Sequence, residues 1–262
     1  MKPCFYKESQ NERDVFRAAF AGRLPLLLTG PTGCGKTRLV EHMAELLERP
    51  LFTVSCHDDL TSSDLVGRFL VHGGDVEWID GPLTRAVRAG ALCYLDEVIE
   101  ARRDTLAVLH SLTDHRRSLY LDRTNERVAA AEGFMLVCSY NPASRSALKE
   151  MKPAFRQRFV ALDLAYLSQA DEASVVATET GVSSDVAQRM AHVARALREA
   201  AREGTFEPPS TRTLVTAARL IVAGLEPRAA IHAGILEPLL SGNVVDTGLR
   251  ELIAALLPEA RA

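Results

Sequence analysis

The sequence offers little that would tie it to an oxidising compartment, a membrane or a polyanion. Its cysteines number five, Cys4, Cys34, Cys56, Cys93 and Cys138. The count is odd and no two have metal-ligand spacing, which argues against a disulfide framework or a zinc module. Cys56, Cys93 and Cys138 each stand in an apolar run, where a thiol behaves as a small hydrophobe. No apolar stretch is long enough to span a bilayer, and residues 1–8 lack the apolar core of a secretion signal. A cytoplasmic chain without membrane insertion is expected. Neither charge dominates: 31 basic residues meet 34 acidic ones, for a net charge of -3. No basic stripe or appendix marks a nucleic-acid partner. There is no internal repeat and no low-complexity segment.

What is present is an ordinary globular composition. The 262 residues are 47% hydrophobic and 25% charged, enough to bury a core without staples. Five short apolar runs, at 24–29, 51–56, 91–95, 134–140 and 159–164, have the length of buried strands. Near-continuous apolar character, in place of alternation, fits a parallel sheet covered on both faces. Helical spacing between the runs, as over 37–47 and 103–112, predicts an α/β doubly wound layer. After about residue 166 come Ala-, Arg- and Glu-rich helical patterns over 168–178, 184–203, 210–223 and 228–240, broken by glycines and prolines. The expected organisation is an α/β domain over 1–165 and an all-helical domain over 166–262.

Two stretches break the alternation. Residues 69–78 form two runs around Gly73-Gly74-Asp75, and residues 118–128 carry alternating apolar residues around a polar turn. Both predict β-hairpins. Two roles are open for the first: exposed aromatics that meet a partner, or Trp78 and Ile79 anchoring the insert to the core.

The chemistry-bearing motif is Gly30-Pro31-Thr32-Gly33-Cys34-Gly35-Lys36-Thr37, which fits the phosphate-binding pattern G-x-x-x-x-G-K-[ST] between an apolar run and a helical one. The glycines let successive N–H groups turn inward around a phosphate, and the following helix points its positive end at the same anion. Lys36 would bridge the β- and γ-phosphates, and the Thr37 hydroxyl would ligate Mg2+. The loop through Arg38 is the expected nucleotide contact. The third run ends in Asp96-Glu97: Asp96 would hold a water of Mg2+, and Glu97 would polarise the attacking water. The fourth ends in Asn141-Pro142, where Asn141 either holds that water or opens a turn. Arg156 and Arg158 precede the last run, each either a helix-end cation or a group reaching a neighbouring subunit's γ-phosphate. Arg212 stands at a helix start, where a phosphate or a salt bridge within the helical domain would be its partner.

In this order the residues resemble the AAA+ ATPases, and most nearly the MoxR branch in its CbbQ/NirQ/NorQ/GvpN family. The stretches that carry the resemblance are Gly30-Pro31-Thr32-Gly33-Cys34-Gly35-Lys36, Asp64-Leu65-Val66-Gly67-Arg68, Trp78-Ile79-Asp80-Gly81-Pro82-Leu83-Thr84-Arg85, Cys93-Tyr94-Leu95-Asp96-Glu97, Ser139-Tyr140-Asn141-Pro142, Arg156-Gln157-Arg158-Phe159 and Ser210-Thr211-Arg212. The resemblance implies a P-loop AAA+ core with a five-stranded parallel sheet, two β-hairpin inserts and a C-terminal all-helical lid. It implies Walker B roles for Asp96 and Glu97, sensor 1 for Asn141 and sensor 2 for Arg212. It places the arginine finger at Arg156 or Arg158, and the family's arginine directly before phenylalanine favours Arg158. It implies ATP and Mg2+ as ligands, a homo-hexamer, and an adaptor with a von Willebrand factor A (VWA) domain. The client enzyme would be rubisco or nitric oxide reductase; gas-vesicle assembly is a third branch. Asn141-Pro142 is followed by Ala143-Ser144-Arg145 where relatives continue with Gly-Tyr, and Ser111 replaces a usual proline.

Other classes share the loop. A nucleic-acid motor would need the basic surface this composition lacks. A small-molecule kinase rarely needs an Asp-Glu pair, and an ATP-binding scaffold without turnover has no use for Glu97.

Overall fold

The computed structural model describes residues 4–102, 104–143, 151–201 and 207–239. Expectations placed on Arg103, Ser144 and Arg145, and on 202–206 and 240–262, lie outside that set. The described residues gather into two compact units that divide between Leu164 and Ala165, with the loop tip Pro31–Cys34 grouped with the second.

The first unit runs α1 (Glu12–Ala21), β1 (Leu26–Thr29), α2 (Lys36–Leu46), β2 (Leu51–Ser55), α3 (Ser62–Val66), β3 (Gly67–His72), β4 (Asp75–Asp80), α4 (Pro82–Ala89), β5 (Leu92–Asp96), β6 (Ser118–Leu121), β7 (Glu126–Ala129), β8 (Met135–Tyr140), α5 (Pro153–Arg156) and β9 (Val160–Asp163). The five apolar runs become one parallel sheet in the order β2-β5-β8-β1-β9. Leu26, Leu27 and Leu28 are all fully buried. Three consecutive buried side chains point to alternate faces, so both faces are covered, which is why the run is continuous rather than alternating. Each such leucine contributes roughly 1.5–3 kcal/mol of burial. Polar residues then mark the ends of the inner strands, at Thr29, at Asp96 and at Asn141 just past β8.

Between β5 and β6 the structure differs from the predicted helix over 103–112. Thr105–Leu109 is a short 3-10 segment. Thr105 and Val108 are β-branched and resist the helix interior, and the Thr105 hydroxyl donates to the Leu60 carbonyl at 2.8 Å. A tertiary bond thus sets the local backbone, as is usual for short 3-10 pieces.

Both predicted hairpins form. β3 and β4 pair antiparallel, with Phe69 opposite Trp78, and β6 pairs with β7. The first hairpin divides its labour. Trp78 packs partly buried against the core, its indole N–H donates to Asp80 at 2.7 Å, and its ring meets Phe69 edge-on at 5.3 Å. Phe69, Leu70, Val71, Val76 and Ile79 stay exposed. Trp78 is therefore the anchor, while Ile79, expected to share that role, is on the surface.

The second unit holds α6 (Gln169–Thr180), α7 (Ser184–Ala201), α8 (Thr211–Val222), α9 (Pro227–Ile231) and α10 (Glu237–Leu239). Ser168 and Ser210 cap α6 and α8, accepting from the Asp171 and Thr213 amides. The pattern over 228–240 is not one helix. His232–Leu236 widens into a π-helical turn between α9 and α10. The reason lies at Gly234, where a Cβ would come within 2.9 Å of the Ala217 Cα of α8; the backbone approaches too closely for any side chain. A buried polar network ties the helices together. Glu172, 1% exposed, receives two bonds from Arg198 at 2.7 and 2.8 Å and one from the Thr211 hydroxyl at 2.6 Å. Arg198 also donates to the Pro209 carbonyl and stacks on the Tyr166 ring. Removing Glu172 leaves the Arg198 charge without its main partner. Glu172→Ala is expected to lower stability by about 3 kcal/mol, read from chemical denaturation; a loss below about 0.5 kcal/mol, the scale of an ordinary surface change, would contradict the network.

Candidate functional site

The site begins where β1 ends. From Gly30 to Gly35 the chain turns through positive φ at 143° (Gly30), 70° (Gly33) and 104° (Gly35). These are conformations that side chains resist and glycine adopts freely. Gly35 then caps α2 from the left-handed region, and the first turn of α2 carries no acid of its own, so no side chain of that turn offsets the positive end of the helix. Lys36 is buried, and its ammonium donates to the Gly30 carbonyl at 2.8 Å across the mouth of the loop. At the tip, a Cβ on Gly33 would fall 2.5 Å from that of Ser210 and 3.5 Å from that of Arg212. The Thr32 carbonyl there accepts from the Tyr166 hydroxyl at 3.1 Å.

Two strands over, beyond β8, β5 delivers the acids. Asp96 Oδ2 lies 3.4 Å from the Thr37 hydroxyl, although the two residues are 59 positions apart. Asp96 Oδ1 accepts from the Tyr94 phenol at 2.7 Å and from the Ser139 hydroxyl at 2.6 Å. A hydroxyl and a carboxylate oxygen converging beside a phosphate-type loop are the hard oxygen donors that suit Mg2+. Tyr94 and Ser139 escape the sequence reading because each hides in an apolar run. The available signal was strand period: Tyr94 stands two before Asp96 and Ser139 two before Asn141, on the faces their strands turn to the site.

Glu97 follows in the left-handed region, φ 54°, ψ 48°, a strain of about 1–3 kcal/mol for a residue with a side chain. Its amide donates to Ser139 Oγ at 3.2 Å. Burial lifts the Glu97 carboxyl above its ordinary value and the Asp96 charge adds to the rise, while the Lys36 charge and the Asn141 amide pull it down. Lys36, Asp96, Glu97 and Asn141 are therefore electrostatic neighbours. Asn141 also opens a turn, its side-chain oxygen accepting from the Ala143 amide at 3.0 Å.

The arginines divide. Arg156 is exposed at the end of α5. Arg158 is half-buried and held through Nη1, which donates to the His110 carbonyl at 2.8 Å and lies 3.3 Å from Asp114. Arg212 is exposed in the first turn of α8. The Arg38 guanidinium sits along α2 with Cys4 and Glu41. Cys34 is part-exposed in the loop, whereas burial pushes the Cys56 and Cys93 thiols up to about 12 and raises Cys138 as well. Those three are inert core atoms at neutral pH.

Known proteins share these features. A family model described as AAA domain (dynein-related subfamily) matches residues 25–159, and one described as CbbQ/NirQ/NorQ C-terminal matches residues 172–256. Protein NorQ of Paracoccus denitrificans is 52% identical over 252 residues, covering 96% of this chain and 93% of the relative. Denitrification regulatory protein NirQ of Pseudomonas aeruginosa is 48% identical over 249 residues, covering 95% and 96%. Among solved structures, a single-residue variant of Thermotoga maritima RuvB has a TM-score of 0.58 at 15% identity, covering 87% of this chain and 71% of that one; the likeness is one of fold. Two family models in chain order, over a P-loop α/β sheet and a helical C-terminal part, leave one conclusion: this chain belongs to the CbbQ/NirQ/NorQ family of AAA+ proteins.

Proposed function

We propose that the chain is a Mg2+-dependent ATPase that assembles as a homo-hexamer and, with a VWA-domain adaptor, remodels a client enzyme. The observation that supports this best is the meeting of Lys36, Thr37, Asp96 and Glu97 at the carboxyl ends of β1 and β5, the two strands that flank β8. Residues 1–165 form the ATPase core and 166–262 the lid. The amides from Gly30 to Arg38 and the Lys36 ammonium grip the phosphates, with Pro31, Thr32, Gly33, Cys34 and Gly35 as the enclosing loop. Thr37 and Asp96 hold Mg2+, which when bound offsets charge on the phosphate oxygens. Glu97 orients the attacking water and takes its proton, and Asn141 fixes the water's position.

Arg158 completes the charge stabilisation from the neighbouring subunit. Asp114 and the His110 carbonyl hold its Nη1 edge, so the Nε–Nη2 edge is the one to reach the γ-phosphate. Arg156 is a second cation on the same turn, and Arg212 couples the phosphate to the lid. An in-trans arginine of this kind is worth on the order of 10³–10⁵ in rate. The client is nitric oxide reductase or rubisco; affinity capture from native cells with the Glu97→Gln chain as bait distinguishes them. The exposed face of the β3–β4 hairpin is the surface that meets it.

This reading has four testable outcomes. Glu97→Gln retains ATP binding and loses turnover by roughly 10²-fold or more. In the wild type, Glu97 becomes protonated as pH falls through its raised value, so the acid limb of kcat lies above the ordinary glutamate range; a limb within that range would remove Glu97 as the proton acceptor. Mixing Glu97→Gln with Arg158→Ala subunits restores turnover above either alone, because mixed interfaces pair an intact glutamate with an intact arginine. Full activity in a strictly monomeric sample would exclude the in-trans role. Phe69→Ala keeps the ATPase and loses client activation; unchanged activation would free the hairpin of that task.

A further inference from the structure

The Asp96 carboxylate is held by more than its strand. Tyr94 and Ser139 are both fully buried, and both hydroxyls end on the same carboxylate oxygen, Oδ1, at 2.7 and 2.6 Å. A hydroxyl has one proton to give. With both protons directed at Oδ1, the 3.0 Å approach of the two hydroxyl oxygens is a side-by-side packing that two donors on one acceptor impose. The lone pairs that remain have their own partners. Ser139 Oγ accepts from the Glu97 amide at 3.2 Å. The Tyr94 phenol oxygen lies 3.3 Å from the Thr37 hydroxyl.

We infer that Tyr94 and Ser139 are positioning residues of the metal side of the site: they clamp Asp96 Oδ1 so that Oδ2 is turned to Thr37 and to the cation of a bound nucleotide, and Ser139 links that clamp to the Glu97 backbone. The inference rests on the nucleotide reading above and goes beyond it, because neither residue belongs to the phosphate loop or the acid pair. A purely structural Tyr94 would need one partner for its hydroxyl. This one is shared among α2 and β5, which carry Thr37 and Asp96, and β8, which runs directly into Asn141. The two residues also differ in reach. Tyr94 touches only the metal side, whereas Ser139 touches both the metal side and the strained turn that carries Glu97. Loss of the first should weaken the cation alone, and loss of the second should also disturb the water-activating carboxylate.

The test uses the full-length chain, with Mn2+ as probe and a fluorescent ADP analogue. Tyr94→Phe and Ser139→Ala are expected to bind the analogue unchanged in EDTA, since the loop is untouched, and to bind Mn2+ in the presence of ADP about tenfold more weakly, as loss of an outer-shell partner does. At saturating Mg2+, Tyr94→Phe recovers the wild-type kcat while Ser139→Ala does not, and Ser139→Thr restores both readouts. Wild-type Mn2+ affinity in folded variants overturns the inference and leaves the nucleotide reading standing. Failure of the wild-type chain to bind the analogue overturns that reading and this inference with it. Should Tyr94→Phe not fold, judged by circular dichroism and melting, the serine pair of variants decides the matter by the same Mn2+ measurement.

Discussion

The register of three parallel strands is the constraint on which the site depends. Thr29 of β1 pairs with Tyr140 of β8, and Leu95 of β5 pairs with Cys138 of β8. The three strands therefore end nearly level, and the loops that leave them share one edge. In open α/β sheets that edge is where ligands bind. A slip of one residue in β5 would turn Asp96 to the opposite face, away from Thr37, with no change in composition or hydrophobicity. The dense leucine packing of β1 and the covered faces of the sheet are what make such a slip expensive.

Much of this was legible before any coordinates. The five apolar runs are the five strands, and the inner three, β5, β8 and β1, are nearly continuous in apolar character because both of their faces are buried. The phosphate loop was legible because glycine at fixed intervals answers a backbone need. The two hairpins were legible from turn residues between short runs. What was hidden depends on contacts far along the chain. The 3-10 segment at Thr105–Leu109 answers to the Leu60 carbonyl, and the π turn at His232–Leu236 to the close approach of Ala217. Helix α1 precedes the first apolar run and so stands outside the strand–helix alternation. Tyr94 and Ser139 were invisible because a hydroxyl inside an apolar run reads as core until its partner across the sheet is known.

The acid pair also shows how a fold stores local strain where chemistry needs it. Glu97 leaves β5 in a left-handed turn that side chains avoid. Its amide is caught by Ser139 of β8 and its carboxylate by the backbone amide of Asn141, the residue that directly follows β8. Two bonds from β8 and the residue that follows it hold a conformation that the residue alone would abandon. In the second unit the same principle works through charge. Glu172, Arg198 and Thr211 fix α6, α7 and α8 around one buried carboxylate, immediately beside the helix start that carries Arg212.

Grip on a nucleoside triphosphate by the loop from Gly30 to Arg38 is tested most directly by calorimetric titration of the intact chain with ATP in the presence of Mg2+, alongside Lys36→Ala. Saturable binding at one site per chain in the wild type, absent from the variant, is the predicted result. Equal heats from both chains, or none from the wild type, would contradict it.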